Sequence, residues 1–152
     1  MLHTLLALAL SVAPQSDLEQ ATVPPAAAAA CSLEPFLFPV SVTAPHFPLP
    51  ARQSYMQGMV VLKLWVLPSG RVDWVRVERS VNPLLDNAAL HASCFWQFRP
   101  TSDSFPRSSC AVIHFSLEAP VGTREVPALS STFVPPYYLR VTAEPVPRDP
   151  SP

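Results

Sequence analysis

The feature that most constrains the fold of this chain is a change of hydrophobic period within residues 58–100. In the first half of this region, apolar side chains recur at every second position in two runs, one ending at Val66 and one starting at Val72. Such alternation is typical of strands that bury one face. The residues between the runs, Leu67-Pro68-Ser69-Gly70, combine a proline that presets φ with a glycine that accepts positive φ. The pattern therefore predicts a β-hairpin with a tight turn.

After Ser80 the period lengthens to about 3.6 residues, which predicts a helix that packs against the hairpin. Asn82 can cap this helix, Pro83 suits its first position, and Asp86 lies near the positive end of the helix dipole. The apolar positions on one side of the helix are Leu85, Ala88, Ala89, Ala92 and Trp96. We expect the helix to end at Arg99-Pro100, because the residue before a proline avoids the helical conformation.

A third strand is predicted at Cys110–Leu117, where apolar side chains again alternate. The expected fold class is α+β: a small antiparallel sheet in the order β-hairpin, helix, strand, with one helix packed on one face. The outer edge of this last strand would carry unpaired N–H and C=O groups. Such an edge is normally blunted, covered or used for binding.

Short motifs in and around this unit resemble, in order and spacing, those of the TonB C-terminal domain family. Before the hairpin stand Pro45-His46-Phe47-Pro48 and Ala51-Arg52, similar to the family's P-x-Y-P-x-x-A-R. The hairpin turn reads PSGRV, and the helix contains Leu85-Asp86-x-Ala88-Ala89-Leu90. The sequence FWQFRP that ends at Pro100 is similar to the family's W-x-F-x-P, and Phe115 follows in the last strand. The resemblance extends over roughly residues 45–118.

This resemblance implies that the domain binds protein rather than catalysing a reaction. In the family, a short extended peptide of an outer-membrane transporter adds to the sheet edge formed by the last strand, which is β-augmentation. The implied partner is a peptide of a TonB-dependent outer-membrane receptor, with inner-membrane motor proteins as further candidates. The candidate contact residues are His46, Phe47, Pro48 and Arg52 beside the edge and Val112, Ile113, His114, Phe115 and Ser116 on it. Self-pairing of the same edge would give a homodimer.

The rest of the chain predicts an export signal, a linker and a tail around this domain. Residues 1–13 form a signal-peptide-like apolar segment, whose run of about ten residues would span ~15 Å as a helix, half of a ~30 Å hydrocarbon core. Export to the periplasm follows, with inner-membrane association through an uncleaved segment as the alternative. Residues 14–44 are an Ala/Pro-rich linker, residues 45–118 the TonB C-terminal-like domain, and residues 119–152 a Pro-rich tail that we expect to be mostly disordered.

One stretch of the tail, Tyr137–Thr142, has the composition of a strand, and prolines flank it. Two occupants are thus predicted for the outer edge of the last strand: a partner's extended peptide, or this stretch of the chain's own tail. Because the flanking prolines limit its length, we expect the stretch to act as a weak, displaceable lid.

The charge of the chain argues against a nucleic-acid-binding role. With a formal net charge of −1 and no basic stripe, the chain has no field that would gather a polyanion. Its 20 prolines lie mostly outside the periodic region, which indicates extended segments around one compact domain.

Three cysteines leave at least one unpaired within the chain. Cys94 and Cys110 are the predicted disulfide, since a short loop separates them and export would place them in an oxidising compartment. Helical phase nevertheless turns Cys94 away from the sheet. Cys31 follows small residues, as a lipidated cysteine does, but it lacks the leucine that such a signal carries, so a lipid anchor there is disfavoured.

The same cysteines and two histidines do not predict a metal or catalytic site. Cys110 and His114 lie ~13 Å apart on a regular strand, whereas zinc ligands converge to ~2.0–2.3 Å of one point. His91 and Cys94 can share a helix face, but no third group is implied that would orient them. With only three glycines, the chain has no phosphate-binding loop. We expect no catalytic residue, no metal and no cofactor.

These observations favour a TonB-like periplasmic interaction domain that binds extended peptides of outer-membrane transporters, in energy-dependent transport across the outer membrane. Two alternatives stay open. One is a free periplasmic interaction or scaffold domain without energy transduction, and the other, least favoured, is a cysteine-dependent enzyme.

Overall fold

The computed structural model describes residues 23–31, 37–118, 129–134 and 137–147, and the segment predicted as an export signal lies outside them. In chain order the elements are α1 (Pro25–Ala30), β1 (Pro39–Ser41), α2 (Leu49–Gln53), β2 (Gly58–Val66), β3 (Val72–Arg79), α3 (Pro83–Ser93), β4 (Gln97–Phe98), β5 (Arg107–Leu117), β6 (Leu129–Val134) and β7 (Tyr138–Ala143). Five of these strands form one sheet in the order β3-β2-β5-β7-β6, and β1 pairs with β4 in a second, two-stranded sheet. No helix in this described part of the chain is long and apolar enough to cross a bilayer.

The predicted hairpin is confirmed as β2 and β3, which pair antiparallel. Gly70 has a φ of 86° and donates its N–H to the carbonyl of Leu67 over 2.8 Å, so the turn uses the positive φ expected of it. A second constraint comes from outside the turn, since a Cβ at position 70 would lie 2.0 Å from the carbonyl oxygen of Phe98. Glycine is therefore required both for the backbone conformation and for a close approach by a distant segment.

The predicted helix is α3, and its N-terminus is built as expected. The Asn82 side chain accepts a hydrogen bond of 2.9 Å from the N–H of Leu84, and a proline is the first helical residue. Besides its favourable position near the positive end of the helix dipole, the buried carboxylate of Asp86 accepts hydrogen bonds from the Ser80 hydroxyl and the Val81 N–H. The predicted apolar side is confirmed for Leu85, Ala89 and Ala92, which are buried, and for Ala88, which is half-buried. Trp96 is also buried, but it lies beyond the end of the helix.

The end of α3 differs from the prediction, since the helix stops at Ser93 instead of Arg99. A turn at residues 94–95 follows, after which Gln97–Phe98 are extended as β4 and pair with β1. The N–H of Phe98 donates to the Gly70 carbonyl at 2.8 Å, and the side chain of Trp96 is buried in the core. These tertiary contacts outweigh the local helical preference on which the prediction depended.

The third predicted strand is confirmed as β5, which begins earlier, at Arg107, and pairs antiparallel with β2. Alternate residues of β2 and β5 point to the α3 side of the sheet, here called the inner face. The main core forms there, and its large buried members include Leu62, Leu64, Leu85, Trp96, Ile113 and Phe115. The α+β class is confirmed, although the sheet is larger than predicted and mixed rather than purely antiparallel.

Two further strands come from the tail, which was predicted to be mostly disordered. β7 pairs parallel with residues 112–117 of β5, and β6 pairs antiparallel with β7. Leu139 and Val141 of β7 are each 2% exposed and belong to the main core. Burial of these side chains stabilises the strand despite the prolines nearby. β7 is therefore a hydrogen-bonded strand of the sheet, and its inward side chains are packed in the main core.

The opposite side of the sheet, the outer face, carries a smaller apolar cluster. This cluster lies beneath α1, a helix within the segment predicted as a linker. The buried members of this outer cluster are Ala27, Cys31, Val61, Cys110, Val112, Tyr137 and Tyr138. A run of five alanines is too short to persist as an isolated helix in water. α1 is therefore held by these contacts and by a disulfide that starts at Cys31.

Candidate functional site

The predicted binding residues on β5 line the edge that faces away from β2. This edge is not open, because β7 lies along it. The N–H of Val112 donates to the Tyr137 carbonyl at 2.7 Å, and the N–H of Glu118 donates to the Ala143 carbonyl at 3.1 Å. Of the two predicted occupants, the structure contains the chain's own tail. β5 is thus an interior strand of the sheet, which corrects the free edge expected for a homodimer.

The five candidate residues of β5 alternate between two environments. Ile113 and Phe115 point to the inner face and are fully buried in the main core, which also contains Leu139 and Val141, the residues paired with them on β7. Val112 is buried in the outer cluster, whereas His114 and Ser116 are half-buried. A strand at this edge therefore meets the β5 backbone along its length and two polar side chains on one face.

His114 and Ser116 already contact β7 through their side chains. Nδ1 of His114 lies 2.8 Å from the Tyr138 hydroxyl, and Oγ of Ser116 lies 3.3 Å from Oγ1 of Thr142. Burial, followed by the positive charge of Arg140, lowers the pKa of His114 below its ordinary value of 6.5. Burial also raises the pKa of the Tyr138 hydroxyl. The two partners are thus held in their neutral forms at neutral pH.

The four candidate residues upstream of β2 divide into two groups, and two of them support the β5–β7 ladder. Phe47 is fully buried, and its ring packs edge-on against Phe115 with centroids 5.2 Å apart. Nε of Arg52 donates to the Glu144 carbonyl at 2.8 Å, immediately after β7. Phe47 therefore supports β5 from the inner face, and Arg52 fixes the end of the strand that occupies its edge.

His46 and Pro48, the other two, line an open groove of about 590 Å³ beside α3. The remaining lining residues are Thr43, Ala44, Leu84, Asn87, Ala88, His91, Ala92 and Phe95. None of them belongs to β5 or β7, so the structure does not bring His46 and Pro48 to the ladder. Sequence reasoning missed this groove, because it depends on where residues 43–48 cross α3 and no local pattern encodes that crossing.

The predicted disulfide is wrong: Cys110 is bonded to Cys31, and Cys94 is a free, exposed thiol. Cys94 caps the end of α3 on the inner side of the sheet, where its thiol lies 3.2 Å from the Leu90 carbonyl. The side chain of Cys110 alternates onto the outer face, so the sheet separates the two thiols. Cys31 approaches Cys110 from the outer side, with 5.5 Å between the Cα atoms, and this bond conflicts with a lipid anchor at Cys31.

The remaining candidates for metal binding and catalysis have other partners. Within the described parts of the chain, no three His, Cys, Asp or Glu side chains are grouped so that they could hold a metal ion. His91 packs against the Phe95 ring with centroids 5.4 Å apart, and the Cys94 thiol points to a backbone carbonyl. These two neighbours therefore engage different partners rather than each other.

Comparison with known proteins places the β5 edge within a recognised domain. The family model for the Gram-negative bacterial TonB protein C-terminal matches residues 43–117, which include β5 but neither α1 nor the β6–β7 hairpin. Among solved structures, the solution NMR structure of the Pseudomonas aeruginosa TonB CTD is similar, with 22% sequence identity and a TM-score of 0.47, over 59% of this chain and 94% of that one. No curated protein matches this chain. Residues 43–117 of this chain thus belong to the TonB C-terminal domain family.

Proposed function

We propose that this chain is a TonB-like periplasmic interaction domain, which binds an extended peptide of an outer-membrane receptor by strand addition along β5, in energy-dependent transport across the outer membrane. The TonB C-terminal domain family comprises transducer and interaction domains rather than enzymes, and membership implies a part in TonB-dependent transport. The observation that carries the proposal is the parallel ladder between β5 and the six residues of β7. Because β7 lies outside the family match, this edge accommodates a strand that the family domain itself does not supply.

The geometry of the ladder favours recognition of an extended peptide. Backbone hydrogen bonds along β5 supply affinity, and side chains at alternate positions supply selectivity. In β7, Leu139 and Val141 fill the core side, whereas Arg140 is exposed. A partner peptide that replaces β7 therefore needs apolar residues at alternate positions, with polar residues between them.

β7 is a competitor for the same edge. A partner binds only the fraction of molecules in which β7 is displaced, so its apparent affinity falls in proportion to that fraction. Displacement exposes Leu139, Val141 and the core beneath them, at a cost of about 25 cal/mol per Å² of apolar surface. The tail therefore sets how tightly a partner has to bind.

A free periplasmic interaction or scaffold domain without energy transduction is the second candidate. The occupied edge favours it, since a domain whose β5 is already paired needs no partner strand to complete its sheet. Cell fractionation and co-purification separate the two candidates. Association with a TonB-dependent receptor or with inner-membrane motor proteins supports transport, whereas a freely soluble periplasmic chain supports the scaffold.

The test of strand addition uses the full chain with Arg140→Pro, and Arg140→Ala is the matched control. Arg140 is exposed, so neither change removes core packing, but proline removes an N–H from a strand that is paired on both sides. A fluorescein-labelled peptide of sequence YYLRVTA, which copies residues 137–143, reports on the edge by fluorescence anisotropy. We expect Arg140→Pro to bind this peptide roughly tenfold more tightly than Arg140→Ala.

Far-UV circular dichroism and urea unfolding establish that both variants fold. A folded Arg140→Pro chain that binds no more peptide than Arg140→Ala contradicts the proposal. If Arg140→Pro does not fold, the wild-type chain is titrated with unlabelled peptide and the amide signals of residues 112–117 are followed by NMR. Absence of shifts in these signals at saturating peptide then contradicts strand addition.

A further inference from the structure

α1 and the β6–β7 hairpin, both outside the family match, meet on the outer face of the sheet. Ala27 and Cys31 belong to the same outer cluster as Tyr137 and Tyr138, and Val134 at the end of β6 packs against this cluster. Tyr138 is also the first residue of the β5–β7 ladder. α1 therefore covers the place where β7 joins β5.

α1 has little of its own that would hold it in this position. It is six residues long, its N-cap residue Pro24 makes no side-chain hydrogen bond, and its buried residue is Ala27. Helices of this length are unstable alone in water, and burial of an alanine methyl group supplies little hydrophobic stabilisation. The bond from Cys31 to Cys110 therefore adds a covalent attachment to the contacts that α1 makes in the outer cluster.

This disulfide joins α1 to the strand that carries the binding edge. Cys110 lies two residues before Val112, whose N–H donates to the Tyr137 carbonyl at 2.7 Å. Cys31 and Cys110 are 0% and 6% exposed, so both are covered while α1 is in place. The bond is the covalent link between α1 and β5, so reduction leaves α1 held only by its noncovalent contacts.

We propose that α1 and its disulfide form a redox latch, which holds the β6–β7 hairpin on β5 while the Cys31–Cys110 bond is intact and loosens it when the bond is reduced. This inference rests on the proposed function, since it assigns a regulation to the same edge. The reductant is a dithiol: one of its thiolates attacks a sulfur of the bond to give a mixed disulfide, and its second thiol resolves that intermediate. Cys31 and Cys110 together gain two electrons and two protons, and the dithiol becomes a disulfide.

Reduction shifts the equilibrium between the hairpin docked on β5 and the hairpin displaced from it, and leaves the domain folded. The contacts of Leu139 and Val141 with the main core persist in the reduced chain and still favour β7 on β5. Loosening of α1 removes its contacts with Tyr137 and Tyr138 in the outer cluster, so the fraction of molecules with a displaced hairpin rises and partner binding tightens.

The test measures binding of the labelled YYLRVTA peptide to the full chain with and without dithiothreitol. Cys31→Ala removes the latch without a reductant, and Cys94→Ala is the matched control because Cys94 is exposed and outside the disulfide. We expect dithiothreitol or Cys31→Ala to tighten binding about tenfold. Cys94→Ala alone should have no effect, and dithiothreitol should add nothing to Cys31→Ala.

Arg140→Pro separates failure of the latch from failure of the proposed function. If Arg140→Pro binds the peptide but the affinity of the wild-type chain is the same with and without dithiothreitol, the latch is wrong and strand addition stands. If neither Arg140→Pro nor the reduced chain binds the peptide, strand addition fails and the latch fails with it.

Hydrogen exchange read by mass spectrometry distinguishes a latch from a general loosening of the fold. We expect Cys31→Ala to lose amide protection in β6 and β7 while α3 keeps its protection. Loss of protection in α3 as well would mean that the disulfide stabilises the whole domain, and unchanged protection in β6 and β7 would mean that α1 does not hold them. Either result overturns the latch.

Discussion

Each face of the central sheet is covered by a helix, but the two helices are held in different ways. On the inner face, α3 has eleven residues, begins at the Asn82 cap and leads into the buried Trp96. On the outer face, α1 has six residues and no side-chain cap, and it is tied to the sheet through Cys31. The inner cover thus depends on close packing of buried side chains alone, whereas the outer cover combines a few small apolar contacts with a covalent bond.

This difference distinguishes the contacts that stabilise the fold from the contacts that control access to the β5 edge. The inner cover lies within residues 43–117, the part that matches the family. The outer cover and the hairpin that it contacts lie on either side of that range. On our proposal, the additions to the family domain control access to its binding edge, and they can change state without loss of the core.

The largest expected effect comes from the inner face. Trp96→Ala removes a buried ring that contacts the rings of Phe98 and Phe133 and donates an indole hydrogen bond to the Thr43 carbonyl. We expect the free energy of unfolding, measured with urea, to fall by about 3–5 kcal/mol. The preceding residue offers a control, because the Phe95 side chain is 58% exposed. Phe95→Ala should change the free energy of unfolding by less than about 0.5 kcal/mol. Equal losses would mean that the inner cover is not held by packing.

Breaking the outer cover should have a smaller effect. Reduction of Cys31–Cys110 is expected to lower the free energy of unfolding by about 2–4 kcal/mol, because the unfolded chain regains the freedom that the closed loop denies it. Urea unfolding with and without dithiothreitol measures this loss. Cys94→Ala is the background for both measurements, so that no other disulfide can form. A loss as large as that of Trp96→Ala would remove the distinction between the two faces.

A third test asks how tightly α3 fits the inner face. Ala89 is fully buried, so Ala89→Leu should overpack the contact with the sheet and lower the free energy of unfolding by about 1–3 kcal/mol. Asn87 is exposed on the same helix, and Asn87→Leu should leave the melting temperature nearly unchanged. If Asn87→Leu were the harmful change, the buried side of α3 would be misassigned.

The smallest expected effect is a pH dependence of the β5–β7 ladder. Burial and then Arg140 lower the pKa of His114 from 6.5, Tyr138 is its hydrogen-bond partner, and the uncharged Met59 lies opposite it on β2. Since the unfolded chain binds the proton more readily, the contribution of His114 to stability is complete above its unfolded pKa and is lost as pH falls toward the lower folded value. His114→Gln should therefore flatten the change in urea midpoint between about pH 7.5 and about pH 5. The same slope in both chains would assign the pH dependence to other groups.

The hairpin, α3 and β5 could be predicted because each is encoded by neighbouring residues. Gly70 has the positive φ that its place after Pro68-Ser69 indicated, and Asn82 caps the helix that begins at the next residue. Composition also placed a strand at Tyr137–Thr142, one residue from the observed bounds of β7. The candidate residues of β5 could be assigned to a strand for the same reason.

The features that could not be predicted depend on contacts between distant residues. Whether Cys110 bonds to Cys31 or Cys94 is decided by which face of the sheet each thiol reaches, and spacing along the chain does not contain that information. β4 forms through its pairing with β1 and through the hydrogen bond from the Phe98 N–H to the Gly70 carbonyl, in a region where local preference favoured more helix. His46 faces a groove rather than the ladder because of the path of residues 43–48 across α3.

The distance along the chain between Cys31 and Cys110 also determines the order in which the fold can be completed. β2, β3 and α3 are neighbours in sequence and can associate as soon as they are synthesised, whereas α1, the first described element, has to wait for Cys110 and then for Tyr138. Cys94 is made before Cys110, so the first cysteine that Cys31 can meet is a non-native partner. The first helix in the described part of the chain is therefore among the last to settle. On the latch proposal, every delay at that step prolongs the time during which β5 is open to a strand from another protein.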